Sequence, residues 1–285
     1  MGTYDNCYDI IADVRRDVNE YSTAMVQGAE SGAYQNELIT QKINLAQSYL
    51  LSFLYPRMPH VFRKEVELTG VDSAFTLPAD FGALEWFKDD NGYQVYPMGA
   101  KDQSPSGTSI QHYYRKGSTL ILDKSGCTKT FTLLYKWMPR KLFSGKATAG
   151  GAASITFPST ASKLVDFYND MVIENITQDW VDTISDYTTA RVATITETAA
   201  KDDYFGLVSD LPEPFHHLLA PKASMLLRAS SPMAQNKVTK GEKDMFNEDL
   251  IETLRAFAGG KEDVDPMETF TDFDTGNYPS GIVAL

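Results

Sequence analysis

The chain has 285 residues, a formal charge of −12 at neutral pH, 42% apolar and 12% aromatic residues, and a mean hydropathy of −0.29. That length allows one large or two ordinary domains with cores of their own, the composition excludes wholesale disorder, and the lack of a long apolar run excludes a membrane-spanning helix. The acidic balance argues against wrapping the outside of a nucleic-acid duplex, which needs a basic surface.

The start, Met1 to Asn6, shows no basic stretch followed by an apolar one, so no secretory signal is expected. Cys7 and Cys127 are the only cysteines, too few for a disulfide framework and without zinc-site spacing; both are expected as small buried hydrophobes. From Asp5 to about Tyr55 the apolar period is helical. Ile11, Val14, Val18 and Tyr21 share one face of a first helix. A Gly28–Gly32 loop leads to a second, with Asn36 as its predicted N-cap and a stripe of Ile39, Ile43, Ala46, Leu50 and Phe53 ended by Pro56 and Pro59. The pair reads as an amphipathic hairpin.

Between Phe62 and Ser209 the period changes to that of strands. Glu65–Leu68, Gln94–Tyr96, Ile110–Tyr114, Thr119–Leu122 and Thr130–Tyr135 are short, β-branched or aromatic, and separated by turn residues. Ser144–Gly151 reads as a flexible connector. Beyond it, Ser154–Phe157, Met171–Ile173, Val181–Ile184, Arg191–Ile195 and Tyr204–Val208 read as a second strand-rich block. Ser162 to Trp180 fits either period, since Leu164, Phe167, Tyr168, Met171 and Val172 also recur helically; strand is preferred.

Asp210-Leu211-Pro212-Glu213 has the form of a helix start, with Phe215, Leu218, Leu219, Lys222 and Leu226 on one face. A last helix carries Val238, Met245, Phe246, Leu250, Leu254 and Phe257 up to Gly259-Gly260. The tail, 261–285, is acidic with interspersed aromatic and aliphatic residues, marginal alone and suited to ordering on a partner. The expected class is α+β: an N-terminal helical part (1–60), a β domain (61–142), a second β-rich module (143–209), a C-terminal helical hairpin (210–260) and a docking tail (261–285).

Signatures of chemistry are sparse. Ser144-Gly145-Lys146-Ala147-Thr148 lacks the earlier Gly and the hydroxyl beside the Lys that a phosphate-cradling loop needs. His216 and His217 are helix neighbours pointing about 100° apart, ill placed to share one ion. There is no Gly-x-Ser-x-Gly elbow, and neither cysteine has a nucleophile signature. A carboxylate pair acting as a hydrolase would be spatial, and the abundant Asp and Glu read more simply as a solvated surface. Tyr113, Tyr114, Tyr135 and Trp137 could stack sugars or bases, yet at strand spacing they read as core. Asn175-Ile176-Thr177 is a glycosylation sequon without a secretory context. No catalytic residue, metal or cofactor is expected.

Several short runs resemble a known family. Phe75-Thr76-Leu77-Pro78-Ala79-Asp80-Phe81 followed by an apolar strand, Gly92, Tyr96-Pro97, Tyr113-Tyr114-Arg115-Lys116-Gly117 and Leu133-Leu134-Tyr135-Lys136-Trp137-Met138-Pro139 resemble the β portion of tailed-phage head-to-tail adaptor (connector or neck) proteins. Phe167–Met171 with Thr183–Thr188 and Arg191–Ile195 is similar to a small β module of phage virion proteins, here an insertion. Leu211 to Phe257 resembles the family's closing helical hairpin.

The resemblance implies a structural virion protein made in the bacterial cytoplasm: a ring, of twelve copies, seated in the neck under the portal protein. It would contact tail, nozzle or fibre proteins and pass double-stranded DNA without sequence-specific binding. Phe270, Phe273, Tyr278, Ile282, Val283 and Leu285 are the expected partner-docking residues, and Ile39, Ile43, Leu50, Phe246, Leu250 and Leu254 the expected interface or core positions. The alternative is a tail-tip or fibre-associated carbohydrate- or receptor-binding β protein.

Overall fold

The structure, a computed structural model, describes residues 6–28, 32, 34–98, 112–123, 128–230 and 237–258. Helix α1 (Cys7–Asp17) starts where the Asn6 side chain accepts the Asp9 N–H. It stops sooner than the apolar period suggests. Asn19 turns left-handed at φ 59° and Glu20 N–H returns to the Arg15 carbonyl, so Val18 and Tyr21 lie beyond the helix, and Tyr21 is 48% exposed. A short α2 (Thr23–Val26), capped by Ser22, precedes α3 (Asn36–Leu54).

Asn36 is not the cap of α3, a position held by Gln35. Its amide is engaged elsewhere: Oδ1 accepts Arg15 Nε and Nη2 at 3.1 and 2.7 Å, and Nδ2 donates to the Met25 and Val26 carbonyls at 3.0 and 2.8 Å. A buried guanidinium needs such acceptors, and the local cap yields to that demand. The α3 stripe of Ile39, Ile43, Ala46, Leu50 and Phe53 is buried as expected.

Among the described residues seven strands follow: β1 (Arg63–Thr69), β2 (Ala74–Thr76), β3 (Phe81–Lys88), β4 (Tyr96–Pro97), β5 (His112–Lys116), β6 (Thr119–Leu122) and β7 (Thr130–Trp137). They form an antiparallel sheet in the order β1-β7-β3 and a second in the order β2-β6-β5-β4, whose β4–β5 pair is parallel. The alternation along β7 is clean, with Phe131, Leu133, Tyr135 and Trp137 inward. Phe75 of β2 packs edge-on against Phe87 and Phe131, centroids 5.5 and 4.9 Å away, and so locks the two sheets together. The expected strand at Gln94–Tyr96 shrinks to Tyr96–Pro97, with Gln94 a single bridge to Lys88; Ile110 and Gln111 lie outside the described residues.

Ser144–Gly151, expected as a flexible connector, is instead two strands, β8 (Ser144–Lys146) and β9 (Ala149–Gly151), either side of a buried Ala147. Its glycine serves close packing: a Cβ on Gly150 would sit 2.4 Å from the Ala199 carbonyl oxygen. With β10 (Ser154–Thr156), β11 (Val172–Asn175), β12 (Trp180–Thr183), β13 (Asp186–Tyr187), β14 (Val192–Thr194) and β15 (Tyr204–Leu207), these make sheets β13-β14-β10-β9 and β12-β11-β15-β8. Among the described residues, no strand of 144–207 pairs with one of 63–137.

Residues 162–171 are neither helix nor strand. Asp166 and Asp170 adopt φ of 60° and 63°, and their N–H groups donate to the Tyr187 and Ile184 carbonyls, a set of turns that breaks either period. Phe157 sits among Phe143, Tyr168, Tyr187 and Phe205 at the centre of this block. Helix α1 seals onto it: Asn6 bridges Val208, and a Cβ on Gly206 would lie 2.5 Å from Asn6 Oδ1.

Asp210 does not cap the following helix. Pro212 occupies the cap of a 3-10 helix (Glu213–Leu218) that runs into α4 (Leu219–Ala229), while Asp210 receives Arg140. Helix α4 packs against both α1 and α3, so N- and C-terminal helices share one layer. The last helix, α5 (Lys240–Phe257), opens with a Thr239/Glu242 capping box and leans on the 3-10 helix. Helices with several antiparallel sheets make the class α+β, as expected.

Candidate functional site

The central part of each end helix's apolar stripe is closed by the chain itself, while Met245 and Phe257, expected on the stripe of the last helix, stand exposed at 64% and 38%. Ile39, Ile43 and Leu50 of α3 are fully buried, and Phe246, Leu250 and Leu254 of α5 are 5%, 1% and 1% exposed. These six expected interface or core positions are buried in the chain's core cluster. Phe270, Phe273, Tyr278, Ile282, Val283 and Leu285 lie outside the described residues, as do Cys127 and Gly259-Gly260.

The remaining candidates separate by burial. His216 is buried and donates from Nε2 to the Leu211 carbonyl at 2.7 Å, whereas His217 is exposed and faces Asp249 of α5 at 3.5 Å, so the two imidazoles share no site. No group of His, Cys, Asp and Glu suited to a metal occurs among the described residues. Cys7 is wholly buried and burial pushes its thiol up to about 12, the state of an inert hydrophobe. Tyr135 and Trp137 belong to the core; Tyr113 and Tyr114 are half-buried on β5. Asn175 is fully buried with Nδ2 donating to Asp203, which closes the sequon to modification in the folded chain. Ser144–Thr148 is strand and turn, not a phosphate cradle.

Several polar junctions join the parts, among them three built on Arg140, Gln47 and Asp80. Arg140, just after β7, grips Asp210 at the entry to the C-terminal helices, Nε–Oδ2 2.9 Å and Nη2–Oδ1 2.8 Å. Gln47 of α3 donates to the Arg140 carbonyl at 2.8 Å and accepts from the Ser209 hydroxyl at 2.7 Å. Asp80, in the Leu77-Pro78-Ala79-Asp80 run, accepts from the Tyr135 hydroxyl at 2.7 Å and pairs with Lys64, binding two of the family-like segments to each other. Burial, then the hydrogen bond to Asp80, raises the Tyr135 phenol well above the usual tyrosine range.

Two outward features remain. The outer face of the β1-β7-β3 sheet sets Leu134 beside Trp86, ringed by Glu65, Glu67, Lys136 and Lys88, with the Lys88 ammonium 4.1 Å from the Trp86 ring. The second is the loop between β10 and β11. Its backbone is held by the Tyr187 hydroxyl donating to Ser162 O at 2.6 Å, Arg191 Nε donating to Ala161 O at 3.1 Å, and Ser162 N–H donating to the Tyr168 hydroxyl. Its tip nevertheless presents Leu164 and Val165, 65% and 55% exposed. Sequence periodicity missed this tip because it treats an apolar run as buried. The positive-φ aspartates on either side of Phe167-Tyr168 were the signal that could have shown a turn.

Charge-carrying geometry here is that of joints and surfaces. On Asp182, burial raises the carboxyl, but hydrogen bonds from Thr196, Thr183 and Glu197 outweigh it and hold it below the ordinary aspartate range. That carboxylate pins β12 to the 196–197 turn. No helix among the described residues is long and apolar enough to cross a membrane. The family model described as SU10 adaptor protein matches residues 5–158, more than half of the chain. No curated protein matches it.

Proposed function

Since the chain belongs to the SU10 adaptor protein family, a phage structural adaptor family whose members are components of the virion, we propose that it forms the head-to-tail adaptor ring between the portal and the tail. The single observation that carries this is the family match over 5–158, which runs through α1, α3, the 63–137 sheets and into β10. Twelve copies would enclose part of the DNA channel, and the charge of −12 suits a conduit that passes phosphate without holding it.

In this reading 143–209 is an inserted β module, 1–60 and 210–260 form the helical parts, and 266–285 docks on the portal, with Phe270, Phe273, Tyr278, Ile282, Val283 and Leu285 filling pockets or adding a strand. Tail, nozzle or fibre proteins meet the opposite face. What supports a structural role is that the long-range polar groups described above are joints between segments. A carbohydrate-binding reading loses Tyr135 and Trp137, two of its four aromatics, to the core.

The test is to mix the purified chain with purified portal and image the product by negative stain. A stacked double ring is expected, and a chain lacking 266–285 should stay folded but fail to join. Undiminished joining by the truncated chain would remove the tail from the portal contact. A compact monomer that ignores portal would remove the ring itself.

A further inference from the structure

Helix α5 turns most of its surface outward. Only Phe246, Leu250 and Leu254 of its 18 residues are buried, against seven of 11 in α1 and six of 11 in α4. A second stripe, Met245, Asp249, Glu252 and Ala256, recurs at four, three and four residues, so it shares one face of the helix, and all of it is exposed. An open hollow of about 690 Å³ lies between Pro214 of the 3-10 helix and Asp249, Glu252, Thr253, Ala256 and Phe257 of α5. That size suits a few side chains or a small molecule.

The hollow combines two chemistries. Pro214, Ala256 and Phe257 give it an apolar part, and the Phe257 ring is held edge-on by the fully buried Phe215, centroids 5.5 Å apart, so its outward side is preformed. The rest is acidic. Asp244, Glu248, Asp249 and Glu252 follow one another in α5 with no base between Lys243 and Arg255, and exposed Glu213 stands beside Pro214. Among the described residues His217, facing Asp249 at 3.5 Å, is the one base in ion-pair contact with the carboxylates of the hollow. Asp249 and Glu252 are three residues apart, neighbours on the helix surface with β-carbons about 5–6 Å from each other. A guanidinium, planar and forked, suits two such carboxylates better than an ammonium does.

We propose that this hollow docks a segment of another protein that carries arginine beside an apolar side chain, the guanidinium against Asp249 and Glu252 and the apolar group against Pro214, Ala256 and Phe257. Charge decides among the occupants. The chain's own tail sets six acids against Lys261, and a second copy brings a net charge of −12, so both meet like charge at this face. An arginine-bearing segment meets opposite charge, and an arginine with an apolar anchor in a preformed pocket is the usual centre of a protein contact. The proposal concerns this hollow alone and needs neither a ring nor a portal, so it stands or falls separately from the adaptor reading.

The test titrates the full-length chain into a dye-labelled peptide in which two arginines flank a leucine, read by fluorescence anisotropy at low salt. Asp249→Lys with Glu252→Lys should weaken binding about tenfold, and Thr253→Trp, which fills the hollow without changing charge, should do the same. Glu65→Lys with Glu67→Lys makes an equal charge change at exposed positions of β1 and should leave binding within about twofold of the unaltered chain. Equal loss from the two charge pairs overturns the proposal, since a bulk field would then do the attracting, and so does a peptide that fails to bind. Binding that appears only when 259–285 are removed assigns the hollow to the tail, and self-association that Thr253→Trp abolishes in a chain indifferent to the peptide assigns it to a second copy; either result overturns the proposal. If Thr253→Trp misfolds, the two charge pairs decide alone, because all four of their positions are exposed.

Discussion

Arg140 and Asp210 form a two-pronged ion pair 70 residues apart in the chain, and the Arg140 N–H donates to the same carboxylate at 3.0 Å. Their side chains are 8% and 17% exposed, dry enough for the pair to matter and for either partner alone to be a burden. Asp210→Ala should destabilise the chain by about 2–3 kcal/mol in urea unfolding. Arg140→Ala combined with Asp210→Ala should fall short of the sum of the single effects, whereas simple additivity would show that the two do not act as one joint.

Tyr135→Phe should lower stability by about 1 kcal/mol, since Asp80 loses a donor inside the sheet sandwich. The pH dependence carries the same signature. The folded state keeps the Tyr135 proton at pH values where an ordinary tyrosine loses it, so stability from this group is lost as pH rises above the ordinary tyrosine value of 10.0. Absorbance just above pH 10 should show Tyr135→Phe removing one titrating tyrosine from the unfolded chain while leaving the count in the native chain unchanged; a native count that falls by one would show that Tyr135 titrates normally.

Lys222 sits between α3 and α5, its ammonium 3.3 Å from the Tyr49 ring centroid, and burial followed by repulsion from Lys243 lowers it to about 8. The unfolded chain holds this proton to near 10.5, so between those values the unfolded state binds more protons and stability from this group rises with pH. Lys222→Met should therefore stabilise at pH 7 by about 1–2 kcal/mol. That advantage should shrink between pH 8 and pH 9.5 in thermal melts; an advantage that does not change with pH would place the effect in packing rather than charge.

Gly206→Ala should cost about 1–3 kcal/mol. The added carbon would meet Asn6 Oδ1 at 2.5 Å and Tyr8 N at 2.8 Å, prising α1 from β15. Hydrogen exchange should report the loss first in α1 and β15; protection lost uniformly would contradict a local wedge.

Cys7, in a chain with Cys127→Ser, should resist a thiol reagent in the native state and react at once in denaturant, since burial leaves no thiolate at neutral pH. Labelling of the native chain at the rate of a free thiol would refute its burial.

The legibility of this chain depended on whether a signal was local. The α3 stripe from Ile39 to Phe53 and the alternation of Thr130–Tyr135 are periodic patterns within one element, and both stand where periodicity puts them. Asn36 and Asp210 look like helix caps locally, but Arg15 and Arg140 claim their oxygens, because a buried guanidinium without acceptors costs more than a weaker cap. Ser144–Gly151 looks like a linker because glycine promises freedom, yet here it provides closeness, with Gly150 against Ala199. The Leu164–Val165 tip inverts the usual rule that apolar means inside, and its display rests on hydrogen bonds from Tyr187 and Arg191 that sequence spacing does not reveal.

The sequence by itself determined the α+β order of textures, the strand-rich middle and the short runs shared with phage adaptors, since each depends on neighbours a few residues away in the chain. Only the tertiary structure decided that helices from the two ends seal one another, that Asp210 is a joint and not a cap, and that α5 is lightly seated. Those outcomes depend on which distant groups compete for the same buried oxygen or apolar surface, a competition settled in space.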